Sequence, residues 1–255
     1  MLALGTVVEA PARPLEETEF HCGILDFYDH WTEIDPRLAS YHAHLSKWSE
    51  AFGHDLVDLA TYAHEILCWL EPTRIRNSQA VIVAGSMTQA FVVSVRMACD
   101  AVAAALAYVA CEKPGQAPSD SLRALSQWAK KHPTRVRASV AELLSGDLTW
   151  FWDVRSIRDY LVHDGCRANI HCDGRQFNLW VFSERDGWIL RTALLPLLRN
   201  HLQKLIGFAD RSAEIISREL ALPDDRHWSR VVAGVLVPAL HRLIAVADQY
   251  AEPSP

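Results

Sequence analysis

The stretch from Trp150 to Gly165, WFWDVRSIRDYLVHDG, holds three neighbouring side chains whose types could do chemistry together: Arg158, Asp159 and His163. A guanidinium keeps its charge at every physiological pH and presents a planar fork of donors, which suits a phosphate or another oxyanion. An imidazole titrates near neutrality and can take or give a proton. The carboxylate beside the arginine has two uses open to it. It can hydrogen-bond the imidazole and fix its tautomer, or it can pair with Arg155, which lies four residues before it.

The element that must position these groups is a helix. Asp147 and Thr149 stand before an apolar-periodic run, as capping residues do, and Gly165 stands just past it, where a helix favours glycine. Phe151, Val154, Leu161 and Val162 recur at helical spacing, and Arg158 falls inside that stripe. An arginine placed there needs a partner. Asp100, in the long helix upstream, could supply it, although Arg96 is its local partner at i, i+4. At ~100° per residue, Arg158 and His163 lie ~140° apart and ~7.5 Å apart along the axis, so on a straight helix they should not touch. His163 sits in the last turn, however, where Gly165 lets the chain unwind and re-aim the ring. Arg155, Asp159 and His163, at i, i+4 and i+8, share a face. If two such helices pack together, His163 of one can approach Arg158 of the other.

The pattern RDYLVH, an arginine followed by a polar residue and then a histidine five residues after the arginine, resembles the signature of the HEPN superfamily. The resemblance covers the motif helix and the long helix before it, about half of the chain. It implies a helical bundle that pairs its motif helices in a homodimer, and a composite site built from the Arg and His of both copies. Many members of that superfamily are metal-independent ribonucleases of toxin and defence systems, accompanied in the cell by an antitoxin or other regulatory protein. Carried onto this chain, Arg158 would hold the scissile phosphate, His163 would be the acid/base and Asp159 would orient it. Cleavage of RNA by its own 2′-OH would need no cofactor and no metal. The alternative within the resemblance is a non-catalytic module that binds RNA, a nucleotide or a protein partner.

Outside the motif, Lys130, Lys131, Arg135 and Arg137 form the densest basic cluster in an otherwise acidic chain of net charge −6. With Arg155 they are candidate RNA contacts; otherwise they are a solvated connection between two short helices. The net charge argues against a general nucleic-acid coat protein, not against a local basic surface. The 255 residues are half hydrophobic and 22% charged, which suits a sizeable core and argues against wholesale disorder. Six cysteines without CxxC spacing fit a reducing cytoplasm. The opening MLALGTVVEAPARP lacks the charged start and apolar core of a secretory signal. The apolar run Val92–Ala110 carries Arg96 and Asp100, so a buried helix is expected there and no membrane partner.

Read in order, residues 1–20 form a loose leader. A helical run follows from Pro36 to Pro72 that Gly53 could split, and then a long helix over Ser78–Glu112. Arg96, Asp100, Ala103, Ala104 and Ala107 give that long helix a second face of small residues around a charged pair. Ser119/Asp120 should cap a short helix to Lys130, and another short helix should end by Gly146. After the motif the period changes to that of a strand, and Asp173-Gly174 and Asp186-Gly187 divide three such runs. A three-stranded antiparallel meander over 167–191 is expected, with His171 and Trp180 as packing residues. A helix should open at Thr192 and end before Pro223. Asp224/Asp225 should then cap a last helix beginning near His227, kinked at Pro238, with a frayed tail over 251–255. The expected architecture is thus a mainly α, HEPN-like domain over 21–250 with an inserted β-meander. His42, His44, His54 and His64 lack metal-site spacing. No GxGxxG, P-loop, HExxH or GxSxG motif occurs, so nucleotide-loop, metallopeptidase and serine-hydrolase chemistry lack motif support.

Overall fold

The computed structural model describes residues 19–21, 24–25, 39–71, 78–173, 176–183, 187–221, 230–232 and 237–249. In chain order the elements are β1 (Glu19–His21), α1 (Ala39–Trp69), α2 (Ser78–Val109), α3 (Leu122–Lys131), α4 (Ala138–Ser145), α5 (Thr149–Val162), β2 (Arg167–Asp173), β3 (Gln176–Ser183), β4 (Gly187–Ala193), α6 (Leu194–Glu219), β5 (Arg230–Val232) and α7 (Val237–Gln249). The fold is mainly α with a small antiparallel sheet of order β2-β3-β4, as the change of period after the motif leads one to expect. The leader through residue 18, the expected Asp224/Asp225 cap and the tail lie outside the described residues.

The chain folds as two compact units, each assembled from three separate segments. The first comprises Met1–Leu56, Met97–Thr149 and Lys204–Ala233. Its core draws on Phe52 and Leu56 of α1, Leu106 of α2, Leu122 and Leu125 of α3 and Phe208 of α6, all nearly or fully buried. Ala103, Ala104 and Ala107 of α2 are buried here as well. Small side chains let neighbours approach closely, and His44 of α1 meets the Ala104 carbonyl at 3.1 Å while stacking on Tyr108. Asp100 accepts the Leu122 N–H at 2.8 Å, so this charge on the α2 face holds the start of α3. Arg137 begins α4 and ties it to α6, donating to Glu219 and, through Nε, to the Cys111 carbonyl at 3.3 Å.

The second unit comprises Val57–Arg96, Trp150–Gln203 and Gly234–Pro255, and contains α5 and the meander. Its core includes Leu59 and Ile66 of α1, Phe91 and Val95 of α2, Phe151 and Val154 of α5, Leu179 and Val181 of β3, and Leu198 and Leu202 of α6. The strands pair in register from Arg167↔Phe182 to Asp173↔Gln176 and from Asn178↔Ala193 to Ser183↔Gly187, with an irregularity at Val181/Phe182. Gly187 has φ +76, the left-handed conformation that a glycine after aspartate supplies at a hairpin turn. Gly85 of α2 lies against β2: a Cβ there would fall 2.3 Å from the Ala168 carbonyl oxygen, so only glycine permits the approach.

Four expectations need correction. Helix α1 runs unbroken through Gly53, which is buried; the burial of Phe52 and Leu56 on either side outweighs the propensity cost of one glycine, about 1 kcal/mol. The cap of α3 is Ser121, whose hydroxyl accepts the Ala124 N–H at 3.1 Å, and not Ser119/Asp120. Helix α6 starts at Leu194 because Thr192 still belongs to β4. The last helix starts only at Val237: Arg230–Val232, with two β-branched valines, pairs with β1 instead, and Pro238 occupies the first helical turn, where proline needs no N–H partner. Among the described residues one helix, Gln79–Val109, is long and apolar enough to cross a membrane; most of its apolar window is buried within the protein, as in a core helix.

Candidate functional site

The site is built on α5. Asp147 accepts both the hydroxyl and the N–H of Thr149, the latter at 3.2 Å, which satisfies one of the first-turn N–H groups. These bonds, with Lys204 at 3.4 Å, hold the Asp147 carboxyl below its ordinary range. Trp150, Phe151, Val154, Ile157 and Leu161 form the buried face. Arg158 is not inside that stripe. It flanks Ile157 with its side chain 31% exposed, and Val162 is 43% exposed. The stripe passes through Ile157 rather than Arg158, which leaves the guanidinium beside the apolar seam instead of under it.

Helix α5 ends at Val162, so His163 is not on the helix. Its N–H still bonds the Asp159 carbonyl at 2.8 Å, Gly165 turns left-handed at φ +67, and the Cys166 N–H closes onto the Tyr160 carbonyl at 3.2 Å. This turn brings the imidazole back over the helix: Arg158 Nη1 lies 2.6 Å from His163 Nε2. The separation expected of a straight helix therefore fails, because the histidine sits one residue beyond the last helical position. Gln89 of α2 donates to the Leu161 carbonyl at 3.4 Å and helps hold the end of α5.

The hydrogen-bond roles at this contact are fixed by chemistry. A guanidinium has donors only, so Nε2 of His163 accepts and the ring proton sits on Nδ1. The same Nη1 donates to Asp159 Oδ1 at 2.9 Å, and Arg155 Nη2 holds Asp159 Oδ2 at 3.3 Å. Asp159 thus binds the two arginines and reaches the imidazole only through Arg158. Nη1 takes both of these contacts, which leaves the Nε–H and Nη2–H edge of Arg158 without a protein partner among the described residues. That edge is the one that grips two oxygens of a phosphate side by side.

No family model, curated protein or solved structure matches this chain.

The arrangement brings Arg155, Arg158, Asp159 and His163 together. The other basic candidates belong to the first unit and are placed differently. Lys130 and Lys131 are exposed on the last turn of α3, where cations complement the helix dipole. Arg135 donates to Gln116 at 3.2 Å and lies over Trp128, and Arg137 is engaged by Glu219 and Cys111. Arg96 of α2 lies over the Phe151 ring at 4.9 Å. Gln89 and Gly85 carry no motif that would single them out in the sequence; a glycine inside an apolar helical run is the one available sign of a close backbone approach.

Proposed function

We propose that the chain is a metal-independent endoribonuclease that acts as a homodimer, with Arg158 as the phosphate ligand and His163 as the acid/base. The observation that carries this reading is the 2.6 Å contact between Arg158 Nη1 and His163 Nε2 at a solvent-accessible helix end. It sets a fixed cation beside an imidazole lone pair, the two groups that transfer of a phosphoryl group to a neighbouring hydroxyl requires. The resemblance of RDYLVH to the HEPN signature supports the same reading.

Each residue has its own part in the reaction. An RNA phosphate engages the open Nε/Nη2 edge of Arg158 and draws the guanidinium toward it, which frees the lone pair on His163 Nε2. That nitrogen takes the proton of the 2′-OH as its oxygen attacks the adjacent phosphorus. Arg158 stabilises the charge that builds on the non-bridging oxygens. The bond to the 5′-oxygen breaks, and a protonated imidazole returns a proton to that leaving oxygen, giving a 2′,3′-cyclic phosphate and a 5′-hydroxyl. Asp159, anchored by Arg155, keeps Arg158 in place and offsets part of its charge. The second copy supplies the second Arg158/His163 pair, so that acid and base can be different imidazoles.

The same contact favours one other reading. While Arg158 occupies the His163 lone pair, the site can bind a phosphate without cleaving, as a non-catalytic module would.

The test is cleavage of end-labelled single-stranded RNA in EDTA by the wild type, Arg158→Ala and His163→Ala, all confirmed folded and of equal oligomeric state. The expected result is wild-type cleavage that falls at least a hundredfold in each variant, since acid/base and electrostatic groups each contribute roughly 10²–10⁴. Equal activity in all three would sink the assignment, and binding without turnover would favour the module.

A further inference from the structure

The meander has two unlike faces. On β3, Leu179 and Val181 are fully buried, while Trp180 and Phe182 alternate to the opposite side. On β2, Ile170 is buried and Arg167, Asn169 and His171 are exposed. The register sets Asn169 and Arg191 on either side of Trp180, and Arg167 opposite Phe182. The outward face therefore gathers the guanidinium groups of Arg167 and Arg191 around two aromatic rings.

These side chains are organised. The His171 ring stacks on Trp180 with centroids 4.3 Å apart and planes within 20°, and the Arg191 guanidinium lies over the same indole at 4.9 Å. Phe182, 40% exposed, is one of the few large apolar side chains that the described residues show to solvent. Asp173, the last residue of β2, lies on the same side of the strand as Arg167, Asn169 and His171. A protein of net charge −6 thus carries a face where arginine, imidazole and π surfaces meet.

We infer that the open face of β2-β3-β4 binds single-stranded RNA, with unpaired bases stacking on the His171–Trp180–Arg191 array and Phe182 while Arg167 and Arg191 take the phosphates. The charge is complementary to a polyanion, and every base has a π face, so such an array binds strands with little regard to sequence. Strands lie about 4.8 Å apart, so three of them span about 10 Å, room for two or three nucleotides. A duplex keeps its bases stacked on one another and cannot offer them to this array. Arg167 follows His163 by four residues, through the Gly165 turn, so the face begins where the candidate site ends. The inference builds on the nuclease reading by specifying its substrate as unpaired RNA, yet it is tested by binding alone.

The probe is a fluorescein-labelled 12-nucleotide 2′-O-methyl RNA, which cannot be cleaved through its 2′-oxygen, measured by anisotropy as a single strand and as a duplex. We expect the wild type to bind the single strand at least tenfold more tightly than the duplex. Trp180→Ala and Arg191→Ala should each weaken single-strand binding about tenfold, near the loss of one base stack. Arg191→Ala should also lower the salt dependence of log K by about 0.7. Trp180→Phe, which keeps a ring, should restore most of the binding and so separates stacking from a folding defect. The inference is overturned if the wild type does not bind the single strand, or if Trp180→Ala and Arg191→Ala, both folded, bind as the wild type does; the face would then belong to a protein partner. Cleavage in EDTA without such binding would leave the nuclease standing and remove this surface, and the converse result would do the reverse.

Discussion

Two arginines in this protein pair with a carboxylate at similar exposure, Arg137 at 34% and Arg158 at 31%, yet their partners are drawn from very different distances along the chain. Arg137 draws its partners from distant sequence: Glu219 on α6 and the Cys111 carbonyl after α2, while its own N–H bonds the Ala110 carbonyl at 2.9 Å. Ser139 holds the other oxygen of Glu219 at 2.7 Å. The result is a clasp that joins three elements. Arg158 draws its partners, Asp159 and His163, from within five residues of itself. It closes no loop and joins no elements, and one edge of its guanidinium is open. An ion pair that ties distant elements supports the fold, whereas one confined to a helix end can be exchanged for a ligand.

The sharpest way to break this comparison is to remove Arg158 or His163. Each alanine variant should lose at least a hundredfold in RNA cleavage, about 2.7 kcal/mol or more in the barrier. Each should keep its unfolding free energy to within about 0.5 kcal/mol, as for other changes away from a packed core. A urea titration beside the cleavage assay checks both halves. If Arg158→Ala unfolded the protein, the guanidinium would be structural and the contrast with Arg137 would vanish.

The histidines repeat the contrast. His163 is exposed beyond α5, whereas His201 on α6 is 1% exposed and its Nδ1 is buried without a hydrogen-bond partner among the described residues. Burial pushes its pKa down to about 4. In the unfolded chain the same ring titrates near 6.5, so the unfolded state binds the proton first as the pH falls. Stability from the neutral ring is complete above about pH 6.5, declines as the pH drops and is lost below about 4, a total of about 3 kcal/mol. Urea midpoints between pH 7 and 4 should follow this decline, and His201→Leu should flatten it. An equally steep fall in the leucine variant would place the acid sensitivity elsewhere.

Gly85 tests whether the site depends on its support. A Cβ only 2.3 Å from the Ala168 carbonyl oxygen forces backbone apart, so Gly85→Ala should cost about 2 kcal/mol. It should also weaken cleavage, because β2 leaves the turn that aims His163. A variant as stable and active as the wild type would mean that this approach relaxes freely.

Much of this was legible in the sequence, for local reasons. The cap at Asp147/Thr149, the glycine at 165, the alternation between 167 and 191 and the Asp-Gly punctuation are all properties of short windows, and α5 and the meander formed where those windows placed them. What the sequence did not disclose depends on geometry beyond one element. Gly165 offered a turn that could re-aim His163, but that the ring then meets Arg158 of the same chain is a contact an ideal helical wheel omits. The split of the last expected helix into β5 and α7 depends on β1, more than 200 residues earlier in the chain. The partner of Arg137 lies 82 residues away, so the four-residue cluster with Lys130, Lys131 and Arg135 gave no sign that one member is committed to a carboxylate. His171 and Trp180, expected as packing residues, stack on each other on the outward side of the sheet, a diagonal contact that only the strand register discloses.

The smallest effect belongs to the clasp itself. Arg137 and Glu219 are partly solvated, so solvent screening limits their direct pairing to about 1 kcal/mol. The hydrogen bond from Ser139 first, and then Arg137, hold the Glu219 carboxyl below its ordinary range. A lowered carboxylate pKa contributes stability that is present above the usual value and is lost as the pH falls through the lowered one. A double-mutant cycle of Arg137→Ala and Glu219→Gln at pH 7 should therefore give a coupling energy of about 1 kcal/mol, shrinking toward zero in acid, with RNA cleavage unchanged throughout. A coupling near zero at pH 7 would show that the clasp is held by Ser139 and the backbone rather than by charge. A loss of cleavage in the folded Arg137→Ala protein would do more damage: it would move this arginine from the fold to the function, and the partners within reach would no longer distinguish the two.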